Sequence, residues 1–476
     1  MLAEKSRTKA AASSPEASAS QAMVATIART RFEELPEAAV KATKRRVLDL
    51  IGSAIGGVGA EGNAGLIEVL RAQGNAPQAS VIGYPGKLSA ANAAMANAII
   101  SRSYDFEVMT AVVAGMVIPS HTSPTTVMTA LAVAEQQGRS GADFLTALTL
   151  GDDLVARVLG GAGFDFGKGW DGASIHSALG AAVIAAKLMD LPQQAIGDAL
   201  GMSVNLMGGT IQAAWEGSTD FKLPQGMAAR NGVLCAELAA QGWTGMADAL
   251  LAPWGFYRQF TSGCAKPDVL TDGLGQVFYA EEYFKPYPAC AATHGSIQTA
   301  LELRERPDFR LENVRRITLK LPAGMLTNFC IKPYEARRFP HCDAIFSYRF
   351  QVANALLNGI TRQEHYADDR LRAASLTDLT SRIDLEPLEA AGGWAGAGGN
   401  CVIVAEMTDG RTMEQVLDKL ERHPRARPST DDEVLAKFYQ QVAFAESTLP
   451  ADRIVEAVDR LDRIAISDLV ALVTSA

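Results

Sequence analysis

The order of helical and strand-like segments is the feature that most constrains the fold of this 476-residue chain. Up to about residue 280, apolar residues recur with helical spacing in segments rich in alanine and glycine. The segment after residue 36 places Val47, Ile51 and Ile55 on one face, and Ser89 is a predicted N-cap of the next alanine-rich helix. Further helices are predicted at 125–137, 141–159, 175–189, 192–207 and 226–241.

The pattern changes at about residue 281. Segment 314–324, VRRITLKLPAG, alternates like a strand, and segment 401–417 is typical of a hairpin that turns at Asp409 and Gly410. Segment 431–472 returns to amphipathic helix. We therefore predict a mainly α fold: a large all-helical domain built from both chain ends, with a smaller inserted α+β domain. The predicted bounds are 21–280 and 416–476 for the helical domain and 281–415 for the α+β domain.

Composition and charge exclude several classes of partner. Hydrophobic residues make up 48% of the chain, yet no uninterrupted apolar run approaches the length of a membrane span, so we expect no membrane partner. A net charge of −9, without a basic patch, argues against a nucleic-acid partner. Residues 1–20 are rich in alanine and serine and are predicted to form a disordered tail. Acidic residues Glu4 and Glu16 argue against a mitochondrial transit peptide, so a cytoplasmic location is predicted and a mitochondrial one stays open.

The cysteines give no sign of a metal or cofactor site. The six of them are scattered, without a CxxC pair or a Cys/His spacing of the zinc kind, which favours free thiols in a reducing compartment. The sequence also has no glycine-rich phosphate loop and no nucleophile elbow. The sequence therefore carries none of the common metal or cofactor motifs, and no metal or cofactor is predicted from them.

Segment 282–303, EYFKPYPACAATHGSIQTALEL, concentrates side chains that can transfer protons. Lys285, Tyr287, Cys290 and His294 lie within ten residues of one another. Prolines follow Lys285 and Tyr287 and hold both in extended conformations, which suits a proton-transfer group that must be placed accurately. Taken alone, the segment is more typical of an ordinary connection from a strand to a helix.

Polar residues interrupt four other apolar segments, SRSYDFEVM, VIPSHTSPTT, GWDGASIHSALGAA and TDFKLPQGMAARNG. The polar residues of interest in them are Asp105, Glu107, His121, Asp171, His176 and Lys222. Each, taken singly, is compatible with a helix cap, a tight turn or a solvated side chain. Their combination is what indicates a site.

These segments, in this order, resemble the MmgE/PrpD family, which includes 2-methylcitrate dehydratase, cis-aconitate decarboxylase and iminodisuccinate epimerase. The resemblance covers nearly the whole chain after the tail. It also includes RRVLDLIGSAIGG, YFKPYPACAATHG, AIFSYRF and HPRARPSTDDEVLAKF. It implies the two-domain architecture predicted above, a homodimer, and a cofactor-independent active site in a cleft between the domains.

The resemblance also implies site residues. Those implied to be catalytic are Asp105, His121, Lys222 and Lys285. Those implied to bind substrate are Asp171, His176, Arg230, Tyr287, Cys290 and His294. The chain departs from the family where Gln225, Asp171 and Cys290 stand at or near positions of family histidines. These departures argue against decarboxylation of cis-aconitate.

The residue types suit chemistry on a small di- or tricarboxylate. Lysines and a histidine can bind carboxylates and stabilise the charge that forms when an α-proton leaves. His121 and Asp105 are the predicted acid–base pair, with Lys285 or Tyr287 as alternatives. The predicted function is dehydration of a citrate-like acid, of the 2-methylcitrate or alkylcitrate type, by β-elimination. The alternatives are an epimerase of the iminodisuccinate type, a decarboxylase of the cis-aconitate type, and a non-catalytic homologue.

Overall fold

The computed structural model describes residues 18–74, 76–162, 168–388, 400–417 and 419–474. The first helix, α1 (Ala19–Arg29), begins inside the segment predicted to be a disordered tail. The Ser18 side chain accepts a hydrogen bond from the amide of Gln21, which caps this helix. Residues 1–17 of the predicted tail lie outside the described residues.

Helices dominate the chain up to residue 280, as predicted. They are α2 (Glu37–Gly57), α3 (Asn63–Ala72), α4 (Ala90–Ser101), α5 (Ser123–Gln136), α6 (Gly141–Ala162), α7 (Gly172–Leu188), α8 (Gln193–Asn205), α9 (Gln212–Glu216), α10 (Leu223–Ala240) and α11 (Phe256–Phe260). Ser89 caps α4, which confirms that prediction. Helices α7 and α10 pack so closely that a Cβ added to Gly232 would lie 2.4 Å from that of Ala181. Small residues thus permit the close helix packing.

Four short strands interrupt this helical region, and a larger sheet follows it. The short strands are β1 (Ala79–Val81), β2 (Tyr84–Leu88), β3 (Met109–Val113) and β4 (Met116–Ile118). The later elements are β5 (Glu281–Tyr283), α12 (His294–Glu305), β6 (Val314–Leu321), α13 (Pro340–Ile345), α14 (Tyr348–Asn358), α15 (Asp368–Leu371), α16 (Ala374–Ser381), β7 (Ile383–Pro387), β8 (Val402–Met407), β9 (Thr412–Val416), α17 (Asp431–Phe444), α18 (Ala451–Asp459) and α19 (Ile466–Thr474). The larger sheet has the order β7-β6-β8-β9, and its β8–β9 hairpin lies where the sequence predicted it.

The buried apolar residues form two clusters. The first, the helical core, extends from Met23 to Phe284 and includes Val434 to Val473 from the other chain end. The second, the α+β core, extends from Tyr283 to Leu420 and also contains Met109, Ala213, Ala214 and Phe221. The prediction of a mainly α fold with a smaller α+β part is confirmed. Within the described residues, no helix combines the length and apolar character needed to cross a membrane.

A third sheet was not predicted, and it positions the site. Its order is β4-β3-β5, with β3 antiparallel to both neighbours. The β3–β4 turn uses Ala114 and Gly115, both with positive φ (47° and 77°), as a two-residue hairpin turn requires. Met109 pairs with Tyr283, so this sheet joins two segments more than 150 residues apart. It therefore brings the SYDFE, SHTSP and FKPYP segments together.

Candidate active site

A cavity of about 630 Å³ lies where these segments meet. Its lining comes from both cores. Its polar end contains Arg102, Asp105 and Ser120, which are buried, and His121 and Asp171, which are half-buried. The apolar walls include Met109, Met116, Ile118, Ile211, Phe221, Phe329 and Phe346. A cavity with mainly apolar walls and a few convergent polar groups is the usual form of a small-molecule site.

Asp105 lies in the loop that follows α4 and is held by two cations. Arg102 donates to its Oδ1 from one side, and the Nζ of Lys285 donates to Oδ1 and to the backbone carbonyl, each at 2.7 Å. The backbone of Asp105 has φ +49°, a conformation that aspartate tolerates better than most residues. Burial opposes the charged form, but Arg102 and Lys285 outweigh it and lower the pKa of Asp105. Asp105 is therefore an ionised anchor, not a proton donor.

His121 is oriented by Glu107. The His121 Nδ1 lies 2.9 Å from Glu107 Oε1, and Arg102 lies 3.2 Å from the same oxygen. Burial opposes ionisation of Glu107, but the charges of Arg102 and Lys285 outweigh it and lower its pKa below the usual range. An ionised carboxylate can only accept hydrogen bonds, so Nδ1 carries the proton and Nε2 keeps its lone pair.

His121 is consequently suited to act as a base. Burial lowers the pKa of its imidazole, and the nearby charges of Lys285 and Arg102 lower it further. The ring is thus neutral at neutral pH, and it lines the cavity. A neutral, oriented imidazole with a free lone pair at Nε2 can remove a proton from a bound acid.

Glu281, which the sequence analysis did not single out, fixes the loop that carries His121. Its carboxylate accepts hydrogen bonds from the hydroxyl of Ser120, the amide of Thr122, and both the amide and hydroxyl of Ser123. The distances are 2.6–2.9 Å. Glu281 belongs to β5, so the unpredicted sheet supplies the acid that positions His121.

The loop containing Asp105 and Glu107 is also held from behind. The Nζ of Lys437, on α17, lies 2.7 Å from Asp49 Oδ1 on α2 and also donates to the carbonyl of Phe106. The other Asp49 oxygen accepts from the amide of Val108 at 2.7 Å. Both charged side chains are buried. Two helices from opposite ends of the chain therefore hold one loop.

Asp171 lines the cavity near this group and differs from Asp105 in its protonation. It caps α7 by accepting from the amide of Ala173. Burial raises the pKa of the Asp171 carboxyl to about 6, although Arg102 opposes the rise. A carboxyl group with such a pKa can hold a proton at mildly acidic pH and can then donate it.

Lys222 and Arg230 do not line the cavity. The Nζ of Lys222 is buried and lies 2.7 Å from Asn63 Oδ1 and 3.2 Å from the hydroxyl of Ser103. Burial lowers the pKa of Lys222 to about 8. Arg230 is half-buried on α10. Of the four side chains predicted to be catalytic, Asp105 and His121 line the observed cavity. Lys285 does not line it but supports Asp105, and Lys222 lies elsewhere.

Three of the predicted substrate-binding residues support the protein around the cavity. His294 is buried, bonded to the hydroxyl of Tyr283 and the carbonyl of Ala289, and burial lowers its pKa to about 3. Tyr287 packs edge-on against it, with ring centroids 5.4 Å apart. His176 is buried in α7, where burial likewise lowers its pKa to about 3. Cys290, which was also predicted to bind substrate, lines the cavity, whereas His176 and His294 do not.

The carboxylates and His121 have a spacing that could also suit a metal ion. Asp105, Glu107 and His121 each offer one ligand atom within 4.8 Å of the others. Arg102 already binds Oδ1 of Asp105 and Oε1 of Glu107, and Lys285 binds Oδ1 of Asp105. A divalent cation would therefore face two buried positive charges, so the geometry favours an acid–base site.

The fold and cavity define a class: a mainly α protein with a polar-ended cavity lined by residues of a helical core and of a smaller α+β core. The MmgE/PrpD N-terminal domain matches residues 21–267, and the MmgE/PrpD C-terminal domain matches residues 287–463. The chain belongs to the MmgE/PrpD family.

Several named proteins are similar to the chain over most of its length. A cis-aconitate decarboxylase-like protein, oryM, of Aspergillus oryzae is 27% identical over 97% of this chain and 98% of its own. The cis-aconitate decarboxylase of Aspergillus terreus is 25% identical over 81% of each chain. That of Mus musculus is 24% identical over 91% of this chain and 88% of its own. The relatives thus include decarboxylases of a small unsaturated polycarboxylate.

Proposed function

We propose that this protein is a cofactor-independent lyase that dehydrates a citrate-like acid by β-elimination. The observation that carries the proposal is the neutral His121, oriented by ionised Glu107 in a cavity that also contains Arg102 and Asp171. These groups supply a base, a cation for a carboxylate, and a proton donor. All three tasks of the elimination are then performed by side chains of the chain itself.

In the proposed reaction, Nε2 of His121 removes the proton next to a carboxylate of the substrate. The electrons of that C–H bond form the new double bond as the neighbouring C–O bond breaks. Asp171 gives its proton to the departing hydroxide, which leaves as water. Arg102, which lines the cavity, binds the carboxylate and stabilises the enolate-like charge that develops on it. Asp105 keeps Arg102 and Lys285 in place.

Decarboxylation is the second candidate, because several relatives are named as cis-aconitate decarboxylases. The substrates to compare are citrate, 2-methylcitrate, cis-aconitate and iminodisuccinate. Dehydration is expected to appear as new ultraviolet absorbance from a double bond. Carbon dioxide release would support decarboxylation, and deuterium exchange without net product would support epimerisation. A protein that produces none of these signals with any acid would contradict the lyase proposal and support the non-catalytic alternative.

The pH dependence tests the role of Asp171. Its pKa of about 6 means that the carboxyl loses its proton as pH rises through this value, so kcat/KM should fall above about pH 6. His121 cannot cause this fall, because a general base gains activity when it loses its proton, and its own pKa is lowered from the usual value. Asp171→Asn should be slow and should lack this alkaline limb in a pH–rate profile. The matched control, Asp432→Asn on the exposed first turn of α17, should keep it. If the Asp171→Asn variant shows the same fall of kcat/KM at alkaline pH, Asp171 is not the proton donor.

A homodimer and a cytoplasmic location complete the proposal. Trp243 and Trp254, between α10 and α11, are 61% and 77% exposed. Large exposed aromatic side chains are enriched at protein interfaces, which supports association of two copies. Light scattering on the purified full chain tests the assembly, and a monomer at micromolar concentration would contradict it.

A further inference from the structure

The charges around the cavity do not match a site that binds its substrate through carboxylates alone. Among the described lining residues, Arg102 and Lys266 are the cations, and Asp105 and Asp171 are the carboxylic acids. Arg102 is already paired with Asp105 and Glu107. Lys266 is exposed at the mouth, where its Nζ lies 2.6 Å from the sulfur of Met116. A substrate carboxylate that is buried without a cationic partner is costly. The two cations cannot pair with every carboxylate of a di- or tricarboxylate, so ionic contacts cannot supply all of the affinity for such a substrate.

The remainder of the lining is mainly apolar. Met109, Met116, Val117, Ile118 and Pro119, in and just after strands β3 and β4, line the cavity together with Ile211, Ala214, Phe329 and Phe346. The volume of about 630 Å³ falls within the range of about 300–1,000 Å³ that is typical of cavities for drug-sized ligands. Citrate, a compact molecule covered by polar groups, would neither fill this space nor contact these walls favourably.

We infer that the substrate carries an extended apolar substituent, several carbons long, on its polycarboxylate head. This inference rests on the proposed function for the chemistry at the head. The head binds at Arg102, His121 and Asp171, and the substituent lies against the apolar walls. Methionines at 109 and 116 suit a flexible chain, because their side chains adapt to irregular shapes.

A homologous series of 2-alkylcitrates, from methyl to hexyl, tests the inference through kcat/KM. The value should rise by about tenfold or more along the series, because each added methylene in an apolar pocket improves discrimination. A value that is highest for citrate or 2-methylcitrate, and that falls with chain length, would overturn the inference.

A second series separates this inference from the proposed reaction. 2-Alkylsuccinates, from methyl to hexyl, lack a leaving hydroxyl and report binding alone, measured by calorimetry. Affinity that rises with chain length while no alkylcitrate reacts would refute the proposed function and keep the inference. Affinity that is absent, or independent of chain length, would overturn the inference even if an alkylcitrate reacts.

A variant that narrows the cavity provides the structural control. Ala292 is half-buried, packs beside the α+β core and lines the cavity. Ala292→Leu should lower the affinity for hexylsuccinate by about tenfold or more, while methylsuccinate changes much less. Ala373 is also half-buried beside the α+β core but does not line the cavity. Ala373→Leu should leave both affinities unchanged, and equal losses in the two variants would contradict the placement of the substituent.

Discussion

Replacing His121 with glutamine is expected to reduce proton removal from the substrate by about 10²–10⁴-fold, the usual contribution of a general base. Glutamine can still hydrogen-bond Glu107, so the loop should keep its conformation, but the amide has no basic lone pair. The imidazole it replaces is neutral and held at Nδ1 by Glu107. The measurement is single-turnover exchange of the α-proton for deuterium.

Two further variants make this result specific. His423 is a half-buried histidine that does not line the cavity. The His423→Gln variant should therefore exchange the α-proton of the substrate as fast as the unchanged protein. Glu107→Gln should retain part of the activity, because His121 keeps a hydrogen-bond partner. Loss of the negative charge should lower the pKa of His121 further and move the acidic limb of the pH profile to lower pH. Normal exchange in His121→Gln would mean that another group is the base.

The elements predicted correctly from the sequence are those specified by local signals. Helical periodicity, the cap at Ser89 and the turn at Asp409 and Gly410 are encoded within a few residues. The β4-β3-β5 sheet was missed because its pairing is non-local. Strand β5 has three residues, and its partner β3 lies more than 150 residues earlier. Thr110 in β3 also has φ +62°, which is unusual for a β-branched residue and is not encoded by a local pattern.

The site was predicted only in outline, for a related reason. Asp105, His121 and Lys285 were named from the sequence, and the structure places the ammonium of Lys285 at 2.7 Å and the imidazole of His121 at 3.8 Å from Asp105. Arg102 and Glu281 were missed, because an arginine at a helix end and a glutamate in an acidic pair usually face solvent. Lys222 was named, but its ammonium faces Asn63 and Ser103. Sequence gives residue types, whereas side-chain direction depends on the tertiary fold.

The loop that carries Asp105 and Glu107 is held by helices from both ends of the chain. Residues 106 and 108 are bound by Lys437 and Asp49, which come from α17 and α2. Lys437 also lies over the ring of Phe106, 4.4 Å from its centroid. Closure of the helical core is thereby coupled to the position of the loop that carries Asp105 and Glu107.

Lys437→Met is therefore expected to have the largest effect on stability. Burial raises the pKa of Asp49 and Lys437 opposes the rise, so without the lysine the buried carboxyl loses its partner and must either stay charged or take up a proton. Breaking a buried ion pair in this way costs about 3–5 kcal/mol in the free energy of unfolding. Urea denaturation at pH 7 provides the measurement. The pair Lys41–Asp431 offers a matched control, since it joins the same two helices but is largely exposed. Lys41→Met should change the free energy of unfolding by about 0–1 kcal/mol.

A double variant distinguishes the lost charge balance from the lost packing. Lys437→Met combined with Asp49→Asn removes both charges and keeps an oxygen that can accept from the amide of Val108. The double variant should be more stable than Lys437→Met alone, because no buried carboxylate is left unpaired. Its turnover should stay below that of the unchanged protein, since the Phe106 carbonyl has lost its donor and the loop is held less firmly. Equal stability of the single and double variants would show that packing of the lysine chain, and not pairing with Asp49, supports the loop.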